Sequence, residues 1–137
     1  MSYDLMVFEK KTAPRNRKDF MRWYEKQTEW GENHGYDNPA VSSEKLRNWF
    51  MEMIVEFPTL SGPHAPTDGE IDDMADPAYL TDYSVGKEVI YAAFSWSLAE
   101  RAFEKMRSLA KKHDVGFFDV SAENGEIAFW EKDVGGS

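Results

Sequence analysis

The chain has 137 residues and a formal net charge of −9, and its length fits one domain of ~100–150 residues. With 42% hydrophobic and 15% aromatic residues it has the apolar material for a buried core, which excludes intrinsic disorder for most of the chain. It has no cysteine, which excludes disulfides, thiolate nucleophiles and cysteine-bound metals, and its acidic balance argues against nucleic-acid binding, which depends on clustered Lys and Arg.

The N-terminal part predicts a strand followed by a helix. Residues 5–8 put apolar side chains on both faces of a strand, as in a central strand covered on both sides, or on one side and partly on the other. Asn16 can cap a helix at its N-terminus. The apolar residues that follow recur at helical spacing as far as Gly31, and they are Phe20, Trp23, Tyr24 and Trp30.

A second helix and a long loop are predicted next. Ser42 or Ser43 can accept from the first free N–H groups of this helix, and Pro58 ends it. From residue 58 to 79 the hydrophobic residues follow neither a helical nor a strand period, and prolines alternate with glycines and acids. We predict a long Pro/acid-rich surface loop here, which in a small domain is usually functional or mobile. The apolar stripe of the helix is Leu46, Trp49, Phe50, Met53 and Phe57.

Two strands are predicted at 83–85 and 89–94, and the alternative is one bent strand with a bulge at Gly86. Ser97 and Glu100 have the spacing of a capping box ahead of a third helix. The chain then predicts a hairpin of strands 115–120 and 126–130 around an Asn-Gly turn. Centring the turn there pairs Val120 with Phe129 and Ala122 with Ile127.

This order of elements predicts an α+β fold. It corresponds to a ferredoxin-like β-α(α)-β-β-α-β sandwich with an additional C-terminal hairpin strand, in which the helices cover one face of an antiparallel or mixed sheet. Residues 1–132 are expected to form this single domain, and residues 133–137 a flexible tail.

The sequence predicts no membrane span and no signal peptide. The longest apolar run, Val89–Phe94, is far below the ~18 residues of a span. Near the N-terminus, Asp4 and Glu9 bracket an apolar run shorter than the ~7–15 residues that a signal peptide needs. We therefore expect a cytoplasmic protein with no membrane partner.

The sequence contains no motif that indicates metal or cofactor chemistry. The acidic stretch at Asp68 resembles the start of an EF-hand loop, which needs Gly at its sixth position and Glu at its twelfth, where Asp73 and Tyr79 stand. A solvated acidic loop is the preferred interpretation. His34, His64 and His113 lack the i, i+4 spacing of a helical zinc site and are interpreted as surface and helix-end residues. We predict no metal, no cofactor and no catalytic residue.

Aromatic side chains beside acids would suit a basic protein partner, because Trp and Tyr are enriched among the residues that dominate interfaces. Three tryptophans fall at the ends of predicted elements, where a side chain is most readily left outside the core. The predicted partner-contact residues are Trp30, Asp68, Glu70, Asp72, Asp73, Trp96 and Trp130.

Four segments resemble a group of small uncharacterised bacterial proteins, in the same order and over nearly the whole chain. They lie at 3–9 (YDLMVFE), 48–53 (NWFMEM), 94–100 (FSWSLAE) and 113–120 (HDVGFFDV). The resemblance implies a bacterial cytosolic protein. It carries over no catalytic residue, because the group has no established activity.

Three hypotheses about function follow. The leading one is a non-enzymatic protein-interaction domain, for example a toxin-neutralising immunity-type protein, that meets a basic protein through its acidic surface. The alternative is a small enzyme or ligand-binding domain with a pocket under the 58–79 loop, where Asp119, His64 and Asp82 are the polar groups of interest. Burial would raise the pKa of Asp119, although strand alternation favours a solvent-facing position for it. The third is a structural homo-oligomer.

Overall fold

The computed structural model describes residues 2–130, which form a five-stranded sheet and four α-helices. The predicted α+β class is confirmed, and the predicted tail at 133–137 lies outside the described residues. The strands are β1 (Tyr3–Phe8), β2 (Asp82–Val85), β3 (Val89–Phe94), β4 (Gly116–Phe118) and β5 (Ile127–Ala128). The helices are α1 (Arg17–Gln27), α2 (Glu44–Glu56), α3 (Asp68–Asp72) and α4 (Ala99–Lys112).

The sheet is antiparallel throughout, with the strand order β2-β3-β1-β4-β5. β1 has a neighbour on each side, and the side chains of residues 5–8 are fully buried, as expected for a central strand. β2 and β3 are two strands of a hairpin rather than one bent strand, and Val85 lies opposite Ile90 in their register.

α2 and α4 pack together on one face of the sheet. Leu5 and Val7 of β1 belong to a buried cluster on this face, together with Trp49 and Met53 of α2 and Met106 of α4. The indole Nε1 of Trp49 donates to the carbonyl of Met106 at 3.3 Å. The bulkiest side chain of this core therefore has its polar atom satisfied, as a buried indole requires.

α1 covers the opposite face of the sheet. Met6 and Phe8 alternate with the residues of the first cluster along β1, and they form a second buried cluster with Phe20 of α1. The ring of Phe20 lies edge-on to Phe8 and to Phe118, with centroids 5.0 and 5.2 Å apart. The expectation that the helices share one face is wrong, because a strand that is apolar on both faces has to be covered on both.

α1 begins where the sequence predicts and ends earlier. The side chain of Asn16 accepts from the backbone N–H three residues on at 2.9 Å. The helix ends at Gln27, because the amides of Glu29 and Trp30 donate to carbonyls three residues back rather than four, both at 3.3 Å. The hydroxyl of Thr28 donates to the carbonyl of Tyr24 at 2.9 Å. Trp30, which the prediction places on the helical stripe, lies beyond the helix with a φ of 53°.

The caps of the other long helices differ from each other. Ser43 caps α2, whereas Ser42 is buried and donates to a carbonyl in the β2–β3 turn at 2.7 Å. The predicted capping box of Ser97 and Glu100 is wrong. Trp96–Leu98 forms a 3-10 turn that leads into α4, and no side chain caps that helix.

The 58–79 segment contains more regular structure than the predicted loop. α3 lies in its middle, and Thr67 and Glu70 form a capping box at the start of that helix. A 3-10 turn follows at Pro77–Tyr79. At the beginning of the segment Thr59 forms a β-bridge with Thr81, next to β2. Hydrogen bonds from nearby side chains cap these short turns, and such caps leave no signal in the hydrophobic periodicity of the sequence.

β4 and β5 form the predicted hairpin with a different register. Phe118 lies opposite Ile127, and the backbone N–H of Asp119 donates to the carbonyl of Glu126 at 2.9 Å. The connection is therefore longer than the predicted two-residue Asn-Gly turn. The register predicted from the sequence, which paired Val120 with Phe129 and Ala122 with Ile127, is therefore wrong.

Candidate functional site

An open groove lies between the C-terminal part of α2 and the 58–79 segment. It encloses about 340 Å³, and its lining is mainly apolar. Val55 lies on the α2 side and is 83% exposed. Tyr79 lies on the other side, and its ring packs against Phe57 with centroids 5.0 Å apart. The lining residues are Val55, Glu56, Pro58, Met74, Ala75, Asp76 and Tyr79.

The sequence contained a signal for this groove in the pattern of α2. The buried stripe of α2 includes Trp49 and Met53, whereas Met51 and Val55 lie one turn apart on the outer side and are exposed. An apolar pair on the polar side of an amphipathic helix has no role in the core. Periodicity follows only the buried stripe, which is why the sequence-based prediction missed both residues.

The 58–79 segment, which supplies one side of the groove, is acidic, and we name its five acids the acidic rim. The 58–79 segment contains five acids and no Lys or Arg, and all five are exposed. The backbone N–H of Thr67 donates to Glu70 at 2.9 Å and, together with the Thr67 side chain, holds the pKa of that carboxyl below its usual range. The acids are Asp68, Glu70, Asp72, Asp73 and Asp76, and Asp76 lines the groove itself.

On the α2 side of the groove, the negative charge of Glu56 is balanced by ion pairs with residues of α4. Arg101 donates to Glu56 through Nε and through Nη2, the latter at 2.9 Å, and Nζ of Lys105 lies 3.7 Å from the same carboxylate. The hydrogen bonds from Arg101 are the main reason why the pKa of Glu56 is lowered. Within residues 2–130 the acids of the 58–79 segment take part in no ion pair, so the two rims differ in charge.

The three tryptophans predicted to contact a partner have different surroundings. Trp96 is 50% exposed, and its 3-10 turn contacts the Pro77–Tyr79 turn beside the groove. Trp30 is partly buried on the α1 face, where it packs edge-on to Tyr91. Trp130 is partly buried against the other core, and its Nε1 donates to a backbone carbonyl at 2.6 Å. Trp96 is thus the most exposed of the three, and its ring centroid lies 5.0 Å from that of Tyr3, outside the groove lining.

Asp119 is partly buried rather than fully solvent-facing. Its Oδ1 is buried without a hydrogen-bond partner, and burial raises the pKa of the carboxyl against the opposing effect of the Ala122 backbone N–H. Burial, reinforced by the charge of Asp119, also raises the pKa of Tyr3 to about 12. Neither Asp119 nor the other predicted polar groups, His64 and Asp82, line the groove.

A polar cluster that the sequence did not reveal joins the loop after α1 to the β2–β3 turn. The Glu32 carboxylate accepts from the backbone N–H of Lys87 at 3.1 Å and pairs with Nε2 of His34. The other ring nitrogen of His34 lies 2.9 Å from the carbonyl of Gly35. The hydrogen bond with Glu32, and after it the one with Gly35, raises the pKa of His34. Glu32 therefore links the two segments, and His34 holds Glu32 from within the loop after α1.

The remaining histidines have separate positions. His113 follows α4, as predicted, and its Nε2 lies 2.9 Å from Glu52 of α2. His64 is exposed in the 58–79 segment, and its ring lies edge-on to Phe50 at 6.4 Å. Among residues 2–130, no three His, Asp or Glu side chains are grouped so that they could hold a metal ion.

No protein-family model, curated protein or solved structure matches this chain. No helix in the described part of the chain is long and apolar enough to cross a membrane. The groove, its acidic rim and Trp96 are therefore characterised by their own geometry and charge.

Proposed function

We propose that the protein is a non-enzymatic interaction domain that binds a basic protein partner at the groove and its acidic rim. The observation that carries this proposal is an open apolar groove, one side of which belongs to a segment whose acids take part in no ion pair within residues 2–130. Apolar contact supplies affinity at interfaces, and complementary charge supplies the rate of encounter and the choice of partner. Trp96, half exposed in a turn that contacts the Pro77–Tyr79 turn, is of the residue type that most often dominates such contacts.

The ligand-binding alternative has one observation in its favour, which is the groove itself. A small-molecule site usually combines an apolar lining with convergent polar groups that orient the ligand. The charged side chains that line this groove are Glu56, which is ion-paired, and Asp76, whose side chain accepts from the backbone N–H of Ala78 at 3.0 Å. Glu56 is neutralised within the chain, and Asp76 by itself is not a convergent set of polar groups, which favours a protein partner over a small molecule.

A homo-oligomer is the less favoured third candidate. A symmetric dimer through the groove would bring both acidic rims into one interface, because such an interface uses the same patch twice. Like charges brought together oppose association at low salt. A basic partner has the complementary charge.

The particular class and location are part of the same proposal. A toxin-neutralising immunity-type protein of the bacterial cytoplasm is one concrete version, since a small acidic domain would associate quickly with a basic toxin. The resemblance of four segments to bacterial proteins agrees with this version.

We further infer a ferredoxin-like arrangement with an additional strand. In support, the connection from β1 through α2 to β2 passes over β3, and the connection from β3 through α4 to β4 passes over β1. Two such split β-α-β units define that arrangement. β5 then extends the sheet beyond β4, and α1 is an addition on the other face.

Partner capture at two salt concentrations tests the proposal. The immobilised protein and the double variant Asp72→Lys/Asp73→Lys are exposed to an extract of the host. The matched control is Glu25→Lys/Glu123→Lys, which changes the net charge equally at exposed positions away from the groove. We expect the protein and the control to retain the same partner at low salt and to release it at high salt, because screening weakens exposed charge contacts.

Two results would contradict this expectation. Equal retention of the partner by the protein and by Asp72→Lys/Asp73→Lys would show that the acidic rim has no part in binding. Recovery of no protein at either salt concentration would count against an interaction domain. A stable dimer in light scattering under the same conditions would favour the homo-oligomer.

A further inference from the structure

We propose that the groove receives an amphipathic helix of the partner, with apolar side chains inserted between α2 and the 58–79 segment and Lys or Arg facing the acidic rim. This inference rests on the proposed function and specifies the chemistry of the partner. Three properties of the groove support it: its lining, the state of the neighbouring sheet edge and the charge difference between its rims.

The lining of the groove favours apolar side chains on its occupant. About 340 Å³ is far more than the ~10–15 Å³ that holds one water molecule. Val55 is 83% exposed, and Met74 and Tyr79 lie across from it half-buried. A methionine in the wall can adapt to inserted side chains of different shape, because its side chain is unbranched and flexible. Covering these three residues would remove apolar surface from water, which stabilises a complex.

The sheet edge beside the groove disfavours an extended occupant. A peptide strand binds by pairing with the free backbone groups of an edge strand. At the outer edge next to β2, the N–H of Thr81 donates to the carbonyl of Pro58 at 2.8 Å, and the N–H of Leu60 donates to Thr81 at 3.0 Å. Farther along, Val85 donates to a carbonyl of the 28–43 region at 2.9 Å. These backbone groups are already used, which weakens strand addition at this edge and favours recognition by side chains, as in helix-in-groove binding.

The charge difference between the rims orients the occupant. Asp76 lines the groove, and Asp73 directly precedes the lining residue Met74. On the other rim Glu56 is neutralised by Arg101 and has no charge to offer. Basic side chains on the occupant therefore belong on the flank that faces the 58–79 segment. A second copy of this chain would add its own five acids to the interface and no Lys or Arg from this segment, which is why we commit to a basic helix.

Synthetic helices test the chemistry directly. The probe is a labelled peptide of about 15 residues with Leu on one face and Lys on the other, a length at which a helix can form. One control peptide has the same residues in an order without an apolar stripe, and another has Glu in place of Lys. We expect the probe to bind in fluorescence anisotropy and to shift backbone amide signals around Val55, Met74 and Tyr79. Both control peptides should bind at least tenfold more weakly.

Two matched variants locate the contact. Val55→Asp places a charge in the groove, whereas Leu60→Asp makes the same change at a residue that is 54% exposed and outside the lining. Both positions are exposed, so folding should be retained. Val55→Asp adds a negative charge that by itself attracts a basic peptide. We nevertheless expect about tenfold weaker binding, because an apolar contact is lost, and no weakening for Leu60→Asp.

The outcomes separate this inference from the proposed function. Equal binding of the striped and unstriped peptides, or equal binding by the protein and by Val55→Asp, overturns the helix in the groove. If the host partner is retained by Val55→Asp and lost by Asp72→Lys/Asp73→Lys, the inference fails and the interaction domain stands. If a striped basic peptide binds through Val55 while no host protein depends on the acidic rim, the proposed function fails.

Discussion

Two glycines of the 58–79 segment differ in the space around them. Gly62 has a φ of +90°, and a Cβ built there would lie 2.0 Å from the carbonyl oxygen of Asp37. A Cβ built at Gly69 would have no atom of residues 2–130 within 4 Å, apart from its chain neighbours and the backbone of its own helix. Gly62 therefore ties the segment closely to the loop after α1, a contact that any side chain would break.

We expect Gly62→Ala to lower the free energy of unfolding by more than ~1 kcal/mol, since it adds a backbone clash to a positive φ. Gly69→Ala, in the first turn of α3, should leave stability unchanged or raise it slightly, because a helix disfavours Gly relative to Ala. Urea unfolding of both variants measures this. Equal effects of the two substitutions would mean that the contact with Asp37 is absent in solution.

The link between Glu32 and His34 gives stability a pH dependence. The folded-state pKa of His34 is raised by its hydrogen bond with Glu32 above the ~6.5 of an unfolded chain. A raised pKa means that the stabilisation is complete below about pH 6.5 and is lost as the pH rises through the folded-state pKa. His34→Gln should therefore destabilise the protein by about 0.2–1 kcal/mol at about pH 5.5, and by less in alkaline solution.

Urea unfolding over this pH range measures the difference between the protein and His34→Gln. In a Glu32→Gln background the same substitution should have little effect, because the partner of the imidazolium has been removed. A difference that stays constant with pH, or that persists in the Glu32→Gln background, would assign the effect of His34 to packing.

At the scale of elements, α3 and α4 differ in how their N-termini are capped. Thr67 and Glu70 form a reciprocal capping box, whereas Ser97 caps nothing and its hydroxyl lies 3.0 Å from that of Ser95. Both sites have the same sequence pattern, a hydroxyl followed three residues later by Glu. The 3-10 turn at Trp96–Leu98 takes the place of the cap before α4, so the pattern alone does not decide whether a capping box forms.

We expect Thr67→Ala to lower the local stability of α3 by about 1 kcal/mol, because the backbone N–H of Glu70 loses its side-chain acceptor. Ser97→Ala should change α4 by less than half as much. Amide hydrogen exchange reports each helix separately, through the protection of residues 70–73 and of residues 103–112. Faster exchange in α4 after Ser97→Ala would show that a capping box does form there in solution.

At the scale of the whole molecule, one sheet separates two cores. Trp49 lies in the core under α2 and α4, and Trp23 packs against the core under α1. Because β1 contributes alternate side chains to both, loss of either core removes support for the same strand. We expect the two cores to unfold together in one cooperative transition.

Phe20→Ala tests this cooperativity. Phe20 is fully buried and lies among the rings of Phe8, Trp23, Phe118 and Phe129. The substitution should cost about 3–5 kcal/mol, the range for removing a large buried ring. Far-UV circular dichroism and tryptophan fluorescence should give the same midpoint in urea. Separate midpoints would show that α1 can leave its face of the sheet while the α2/α4 core stays folded. Val55→Ala, at an exposed position, is the control and should leave the midpoint unchanged.

The sequence by itself determined the α+β class, the order of the strands and long helices, and the starts of α1 and α2. These features depend on residues close together in the chain: the spacing of Phe20 and Trp23, the cap at Asn16 and the stop at Pro58. Composition also determined the acidic character of the 58–79 segment, which contains no Lys or Arg. Thiolate and disulfide chemistry were excluded by the same simple count.

Only the tertiary structure decided which face each helix covers, how the last hairpin pairs and where a groove opens. The register at Phe118 follows from a long connection in which Gly125 approaches the Asp119 carbonyl, and a two-residue turn rule does not contain it. The groove joins Val55 to Met74 and Tyr79, about 20 residues away in the chain. Periodicity records burial against the core only, so a surface formed by distant segments becomes visible when the chain is folded.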